Sequence, residues 1–329
     1  MRLSVLDQSI AVAGRPHHES IKNTVVLARH CEALGYDRFW VSEHHNHPTI
    51  VGTAPEIVIA AIAATTERIR VGSAGIMLPH YSPFKVAEVF RVLDALAPGR
   101  IDMGLGRAPG SDGRTAFALN PMANERPEHF PADVRDLMAW VQNEPLVEGH
   151  PFAAVKAFPQ GPTSPEVWIL GSSDYGAQVA AHFGLPYCYA WFFSEAAGGG
   201  RAIEIYKQRY RPSTRHPEPH SALCVSALAA PTMEEAQYHL TPRLLSRINR
   251  DRGLLGPLVS PEDAEAALKP HDQERIAKMR RNAFAGTGPQ VAERIRELQT
   301  RVGVDEMAVV TWTYDEEARR RSYTLLAEA

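Results

Sequence analysis

The fold is decided by three consecutive segments, "IRVGSAGIML" (69–78), "SPFKVAEVFRVLDALAPG" (82–99) and "RIDMGLG" (100–106). The first and third are short and mostly apolar, which is typical of strands that are buried on both faces. The middle segment has an apolar stripe at helical spacing, formed by Val86, Val89, Phe90 and Leu93. Ser82 is a suitable N-cap for this helix, and the Pro-Gly pair at 98–99 suits its end. A helix between two buried strands predicts parallel pairing and an α/β protein.

The same alternation runs through most of the 329 residues. Strands are predicted at 2–6, 37–42, 69–78, 100–106, 166–172, 185–193, 221–230 and 307–312. Helices are predicted at 19–34, 54–67, 83–97, 128–143, 174–183, 195–211, 232–246 and 289–301. Eight such units favour closure into a TIM (β/α)8 barrel over an open doubly wound sheet. We therefore expect one domain that spans residues 1–329.

One long segment, residues 247–286, breaks the pattern before the last helix–strand unit. It is charged, weakly periodic and rich in Gly and Pro. A loop of this length in a compact domain usually has a function. We predict a lid that is mobile without ligand, with hinges at Gly253, Gly256, Gly286 and Gly288. The alternative is a surface insertion that packs against a second subunit.

Composition excludes several classes of protein. The formal net charge is -3 and 44% of residues are hydrophobic, with no block of like charge. Nucleic-acid binding and membrane-surface binding therefore receive no support. The three cysteines are scattered, which fits a reducing compartment better than a disulfide framework. The amino-terminal residues contain no signal-peptide pattern and no apolar run is long enough for a spanning helix, so a cytoplasmic protein is expected.

The segment "VSEHHNHPTI" (41–50) follows the second strand and contains Glu43, His44 and His45. Polar residues at this position carry weight because barrel sites lie at the carboxyl ends of the strands. A metal hydrolase is one hypothesis, since His45 and His47 form an HxH pair, and a solvated polar loop is another. Later strand ends offer arginine, serine and tryptophan, which do not bind cations. An acid/base site at His44, without metal, is therefore favoured.

Two further strand ends suggest an anion site. "GLGRAPG" (104–110) lacks the last glycine of a dinucleotide motif, because Pro109 takes its place, and it presents Arg107 instead. "LGSSDYGAQVAAHFG" (170–184) places Gly171, Ser172 and Ser173 before a helix, as in a phosphate cradle. The alternatives are a surface arginine and simple N-capping by Ser173 or Asp174. Together the two strand ends suit a phosphate monoester such as FMN.

Four segments resemble the luciferase-like flavin-dependent monooxygenases, the family of bacterial luciferase: "DRFWVSEHH", "IRVGSAGIMLP", "RIDMGLGR" and "AAHFGLPY". The resemblance covers roughly residues 1–240 and 284–312. It implies a TIM barrel and reduced FMN (FMNH2) that a separate flavin reductase supplies. It also implies that O2 adds at the flavin C4a atom to give a peroxide, which oxidises a small substrate such as an aldehyde or ketone. Homodimers or heterodimers are usual in the family, and a homodimer is expected here.

The resemblance also implies roles for particular residues. His44 matches the catalytic histidine. Ala74 and Gly75 match a non-proline cis peptide bond beneath the isoalloxazine, and Arg107, Ser172 and Ser173 match the phosphate site. Gly106 stands where luciferases carry cysteine, and residues 247–286 show little likeness, so light emission is not implied.

Several residues near strand ends are candidates for the walls of a substrate pocket that excludes water. The predicted wall residues are Glu43, His45, Tyr81, Trp191 and Phe193, with Phe192 and Trp312 as further aromatic candidates. Core packing is the alternative for each aromatic residue. Two other functions stay open: an oxidoreductase of the same fold that uses the deazaflavin F420, and a non-catalytic flavin-binding protein.

Overall fold

Eight parallel strands close into a barrel in a computed structural model that describes residues 1–108, 110–123, 126–194 and 198–329. The strands are β1 (Leu3–Asp7), β2 (Arg38–Val41), β3 (Arg70–Met77), β4 (Ile101–Gly106), β5 (Glu166–Gly171), β6 (Tyr187–Ala190), β7 (Ser221–Ala229) and β9 (Glu306–Val310). Each of the first seven pairs with the next, and β9 joins β7 to β1. A short extra strand, β8 (Phe284–Gly286), pairs with the end of β7. The predicted TIM barrel is confirmed.

Helices cover the outside of the barrel. They are α1 (His17–Ala33), α2 (Pro55–Ala63), α3 (Pro83–Leu96), α4 (Gly113–Leu119), α5 (Phe130–Gln142), α6 (Asp174–Phe183), α7 (Trp191–Ser194), α8 (Gly199–Arg209), α9 (Met233–Asp251), α10 (Pro261–Ala267), α11 (Gln273–Asn282), α12 (Gly288–Val302) and α13 (Glu316–Ala327). Their apolar faces and the outward faces of the strands form the main core. In the parts of the chain that the structure describes, no helix is long and apolar enough to cross a membrane.

The sequence-based boundaries need three corrections. Strand six was expected to reach residue 193, but β6 ends at Ala190 because the next four residues form the helical turn α7. The helix predicted at 195–211 is described only from Gly199, and residues 195–197 lie outside the described residues. Helices α4 and α13 were not predicted, and α13 is the last covering helix of the barrel.

Residues 247–286 are not a loop, which corrects the prediction for this segment. Helix α9 continues to Asp251, and α10, α11 and β8 follow. They pack around a second apolar cluster, formed by Leu228, Ala230, Ala236, Leu240, Leu244, Ile248, Ile276, Met279 and Ala285. The segment is also tied to the barrel, because Leu258 pairs with Val12 and the Thr49 hydroxyl donates to the Gly256 carbonyl at 2.6 Å.

The amino ends of the strands enclose a layer of buried charge that we call the charged floor. Its members are Ser4, Arg38, Arg70, Asp102, Glu166, His220 and Glu306. Arg38 is at the centre and donates to Asp102 and Glu166 at 2.9 Å and to Glu306 at 3.1 Å. Arg70 neutralises Asp102 and Glu166 from the rim, with N–O distances of 2.5 and 3.1 Å.

The ionised carboxylates of the charged floor are stabilised in spite of their burial. Burial raises the pKa of Glu306, but the hydrogen bond from His220 and the charge of Arg38 outweigh it and lower that pKa to about 2. Arg38 and Arg70 likewise outweigh burial at Glu166 and lower its pKa to about 2. Buried charges persist when they are paired and hydrogen-bonded in this way.

An apolar layer in the barrel interior separates the charged floor from the mouth. Trp40 and Trp168 pack edge to face with ring centres 5.1 Å apart, and the Trp40 indole N–H donates to Asp102 at 2.9 Å. Leu6, Cys188, Ala222, Cys224, Ala308 and Val310 complete the layer. Polar side chains line an open cavity at the mouth, on the other side of this layer.

Candidate active site

A cavity of about 410 Å³ opens at the carboxyl ends of the strands, and we call it the mouth cavity. Its apolar walls include Leu6, Trp40, Ala74, Met77, Phe130, Leu170, Phe192 and Phe193. Its polar wall residues include Gln8, Ser42, Glu43, His44, Arg107, Ser172 and Ser173. Both the volume and the balance of apolar surface with a few polar groups are those of a small-molecule site.

His44 lines this cavity directly after β2. Its backbone N–H donates to the Gly52 carbonyl at 3.1 Å, which fixes the chain at this position. Its Nδ1 atom is buried and has no hydrogen-bond partner in the described part of the chain, and the same is true of the Ser42 hydroxyl on the same wall. Burial, followed by the charges of His47 and His45, lowers the pKa of His44 to about 4. The ring is therefore a neutral imidazole at neutral pH, able to accept a proton.

Glu43 is 1% exposed and accepts three hydrogen bonds. The donors are the Met77 backbone N–H at 3.0 Å, the Tyr81 hydroxyl at 2.6 Å and His45 Nε2 at 2.7 Å. Because Glu43 accepts from His45 Nε2, that atom carries the proton. Burial, followed by the charge of Glu43, raises the pKa of Tyr81, so its hydroxyl stays a donor. His45 and Tyr81, predicted as pocket walls, thus lie behind Glu43 and hold it in place.

His47 is held in one tautomer by the backbone. Its Nδ1 accepts the N–H groups of Thr49 at 3.2 Å and Ile50 at 3.1 Å, which leaves the proton on Nε2 of the neutral ring. Its ring centre lies 5.9 Å from that of His44. Among the described residues, no three side chains of the metal-binding types come together in a group that could hold an ion.

The predicted anion site forms the far end of the mouth cavity. The Arg107 guanidinium stacks over the Tyr175 ring at 4.1 Å, and Ser172 and Ser173 are exposed beside it on the same cavity wall. Ser173 occupies the N-cap position of α6, yet its side chain makes no capping hydrogen bond. Asp174 pairs with Arg201 at 3.1 Å. Both hydroxyls and the helix amino terminus therefore stay available to an anion.

The Ala74–Gly75 peptide bond is cis, as the resemblance implied, and both residues line the mouth cavity. The pairing of β3 with β4 shifts register between Ser73 and Ile76 at this point. The two strands approach so closely that a Cβ atom on Gly104 would lie 2.1 Å from the Ser73 carbonyl oxygen. Glycine is required here by close approach of two backbones.

The aromatic residues after β6 do not all line the same cavity. Phe192 and Phe193 stack with ring centres 4.4 Å apart and line the mouth cavity. Trp191, predicted as a wall of the same pocket, is 7% exposed and packs against Tyr189, with its face on a separate cavity of about 50 Å³. In the extended strand that we predicted, Trp191 and Phe193 would face the same side, whereas the helical turn α7 directs them to different sides.

Two buried cysteines, Cys188 and Cys224, lie on the inner wall of the mouth cavity, and Cys31 lies in the outer core. Burial raises the pKa of all three thiols. At neutral pH each is therefore a protonated, weakly reactive thiol.

A second cavity of about 110 Å³, which we call the side cavity, adjoins the mouth cavity. The two share Gln8, His44, Phe192 and Phe193 as wall residues. The side cavity is also lined by Arg243, Arg247 and Arg250 of α9, by Leu255 and by Trp312. Sequence analysis missed the arginines because an arginine on an amphipathic helix is usually exposed. The sequence did predict four other wall residues of the side cavity as site candidates, namely His44, Phe192, Phe193 and Trp312.

The fold and the site together define an α/β barrel whose cavity, of a size that suits a cofactor, is lined by a neutral histidine, by apolar side chains and by Arg107, Ser172 and Ser173. The chain belongs to the luciferase-like monooxygenase family, which matches residues 1–306. It is 41% identical to the Bacillus subtilis protein YwcH, over 99% of this chain and 98% of that protein. It is 35% identical to the N-acetyl-S-alkylcysteine monooxygenase of Bacillus subtilis, over 100% of this chain and 98% of that one.

Solved structures agree with this assignment. Apo-MsnO8 superposes with a TM-score of 0.89 at 34% identity, covering 99% of this chain and 97% of that chain. A type II Baeyer-Villiger monooxygenase from Pseudomonas putida in complex with FMN has a TM-score of 0.74 at 19% identity, covering 100% of this chain and 97% of that chain. An F420-dependent secondary alcohol dehydrogenase has a TM-score of 0.67 at 15% identity, covering 98% and 97%. The last two share the fold.

Proposed function

We propose that the protein is an FMN-dependent monooxygenase that uses reduced FMN and O2 to oxidise a small organic substrate. The observation that carries the proposal is the mouth cavity itself. One continuous surface presents a neutral histidine, an apolar slot and the anion group of Arg107, Ser172 and Ser173. These are the parts that a planar ring with a phosphate tail requires.

The residues of the mouth cavity fit FMN. Arg107 and the two serines would hold the phosphate by charge-assisted hydrogen bonds at the amino end of α6. Ala74 and Gly75 would support the ring system together with Leu170. The unpartnered Ser42 hydroxyl and His44 Nδ1 are buried polar atoms on the wall, and such atoms in native proteins normally have a partner. A polar ring edge would supply one.

Reduced FMN supplies the electrons that activate O2. The protein's own part is proton handling and exclusion of water. We assign proton transfer to the imidazole of His44, which lines the mouth cavity. Glu43 does not compete for this role, since its carboxylate already accepts three hydrogen bonds. It is a positioning residue that joins β2 to β3 below the histidine.

The substrate belongs to the classes that activated oxygen attacks, namely aldehydes, ketones and, by analogy with the substrate named for the Bacillus subtilis relative, thioethers. The F420-dependent structure of the same fold supports a second candidate, a hydride-transferring oxidoreductase. The third is a non-catalytic flavin-binding protein.

The first experiment compares FMN and F420 by titrating each into the protein and following its fluorescence. We expect FMN to bind and F420 to bind far more weakly. The second supplies a flavin reductase, NADH and ¹⁸O2, and searches for labelled product from a panel of the three substrate classes. Label in a product supports the monooxygenase. Preference for F420, or FMN binding without any label, would reject it in favour of the corresponding alternative.

Three further parts of the proposal concern a partner protein, the oligomeric state and a moving segment. A separate flavin reductase would deliver the reduced cofactor, and the protein would act as a homodimer. Residues 247–286 would act as a lid, because Arg250 and Leu255 form part of the side-cavity wall. The lid would then be a folded flap anchored at Leu258, and not the free loop expected from the sequence.

A further inference from the structure

Among the residues that the structure describes, one buried cation beside the site has no carboxylate with it. Arg243 of α9 is 8% exposed, and its guanidinium lies 5.2 Å from the centre of the Trp312 ring. Burial, followed by the charge of Arg250, lowers its pKa to about 10, so it remains a cation at neutral pH. Within the described ranges, no Asp or Glu lines the side cavity or forms an ion pair with Arg243.

Three other arginines are buried in the described part of the chain, and each has partners that Arg243 lacks there. Arg91 donates to the backbone carbonyls of Val141, Pro159 and Thr163 at 2.7 to 3.2 Å. Arg38 contacts three carboxylates of the charged floor, and Arg319 contacts Asp7 and Glu316. An unpaired buried charge is strongly destabilising, whereas a paired one is tolerated. A protein that keeps an arginine inside a cavity without a counter-ion is therefore suited to take one from a ligand.

Two neutral donors lie on the same cavity wall. The Trp312 indole N–H donates to Gln8 Oε1 at 2.9 Å, which leaves the Gln8 NH2 group as a further donor. His47 accepts backbone N–H groups at Nδ1, so its Nε2 carries a proton. A guanidinium with neutral N–H donors around it is the arrangement that recognises a carboxylate.

The position of the side cavity relates this anion to the reaction. His44 and Phe192 form part of the wall between the side cavity and the mouth cavity. A carboxylate at Arg243 would therefore place the apolar part of the same molecule against the phenylalanines and next to the histidine. FMN phosphate has its own group, Arg107 with Ser172 and Ser173, elsewhere on the mouth cavity.

We propose that the side cavity binds a carboxylate of the substrate, with Arg243 as its counter-ion, so that the enzyme acts on small organic acids with an apolar body. The inference rests on the proposed function only in naming the acid as substrate. Binding of the acid is independent of flavin and of oxygen.

The test is calorimetry on the flavin-free protein with N-acetylmethionine and its uncharged primary amide. The acid should bind at least roughly tenfold more tightly, the usual scale for one charge-assisted contact. Arg243→Met should reduce the affinity for the acid to that for the amide. Arg243→Lys should keep part of the preference, because the ammonium retains charge but not the planar fork. Arg321→Met, an exposed arginine on α13, is the matched control and should change neither value.

Three results would overturn the proposal: equal affinity of the wild type for acid and amide, no measurable binding of the acid, or a preference that survives in Arg243→Met. A parallel titration with FMN and riboflavin addresses the cofactor. If Arg243→Met weakens FMN but not riboflavin, Arg243 holds the phosphate and the substrate role is rejected. If circular dichroism shows that Arg243→Met is unfolded, the affinities of the wild type and Arg243→Lys for acid and amide test the proposal. Failure to bind FMN at all would reject the proposed function and leave the acid–amide comparison intact.

Discussion

At the amino ends of the strands, Arg38 has three carboxylates within 3.2 Å of its guanidinium nitrogens. At the carboxyl ends, Arg243 has no carboxylate and His44 Nδ1 has no partner, among the residues that the structure describes. Both ends belong to the same strands and lie on either side of one apolar layer. The charged floor satisfies its polar groups internally and so serves stability. The mouth leaves polar groups unsatisfied and so serves a ligand.

The largest effect should come from the charged floor. Arg38→Met leaves three buried carboxylates without their central cation, and we expect a loss of about 3–5 kcal/mol in the free energy of unfolding. Urea denaturation followed by tryptophan fluorescence measures this loss. The exposed control Arg321→Met should change stability by no more than about 0.5 kcal/mol. Equal stability of the two variants would contradict the claim that the charged floor serves stability.

A substitution at the mouth should lower enzymatic turnover and have less effect on stability. His44→Ala removes the proposed proton acceptor and should lower oxygenation by about 10²-fold or more, with nearly unchanged FMN affinity. Steady-state oxygen consumption coupled to product formation measures turnover, and flavin fluorescence measures binding. His18→Ala, at an exposed position on α1, is the control. Normal turnover in His44→Ala would remove the histidine from the mechanism.

The anion group should produce a smaller and more selective effect. Arg107→Ala removes a charge-assisted contact and should weaken FMN roughly tenfold or more. Riboflavin lacks the phosphate, so its affinity should hardly change. Fluorescence titration of both ligands separates the two cases. Equal weakening of FMN and riboflavin would mean that Arg107 supports the ring and not the phosphate.

The two ends should also differ in pH dependence. The pKa of His44 falls from 6.5 to about 4 on folding, so the unfolded chain binds this proton first and stability declines as pH falls from 6.5 towards 4. Glu166 and Glu306 have pKa values lowered from 4.5 to about 2, so their stabilisation is complete above 4.5 and is lost as pH falls towards 2. Unfolding free energies at a series of pH values test whether the loss of stability at His44 occurs at higher pH than the loss at the two glutamates. His44→Ala should flatten the slope between pH 6.5 and 4, by up to about 1.4 kcal/mol per pH unit, and an unchanged slope would contradict the shift.

The smallest expected effect concerns residues 247–286. If the segment is a lid, trypsin should cut it more slowly once FMN and substrate are present, at the exposed Arg252 for example. Cleavage at the exposed Arg215, in the loop before β7, provides the internal reference and should not change. Cleavage of the segment at a constant rate, with activity preserved after the cut, would favour a static insertion.

Local periodicity was sufficient to predict the barrel, because buried strands and amphipathic helices each carry a pattern within about ten residues. It failed where the pattern was ambiguous. The run "WFF" (191–193) is apolar in either conformation, and residues 316–327 have so many charges that the buried face of α13 was overlooked. In residues 247–286 the helices are short and polar, with weak periodicity.

The site was predicted in the same uneven way. His44, Arg107, Ser172 and Ser173 follow strands directly, so the barrel rule located them on the mouth cavity. The charged floor and Arg243 depend on contacts between residues far apart in the chain, which no local pattern reveals. One signal for the floor was available, since Arg38, Asp102 and Glu166 are charged residues at the start of otherwise apolar strands.

The three buried thiols allow local opening of the folded chain to be measured by chemical labelling. Cys31 lies between α1 and the outer face of the barrel, whereas Cys188 and Cys224 face the interior. A thiol reagent such as iodoacetamide reacts only when a segment exposes its cysteine, so each labelling rate measures one opening event. Peptide mapping of the labelled protein would then show whether the helical shell detaches before the barrel interior becomes accessible. Substrate and flavin at the mouth should slow modification of the two interior cysteines, which line the mouth cavity, more than modification of Cys31.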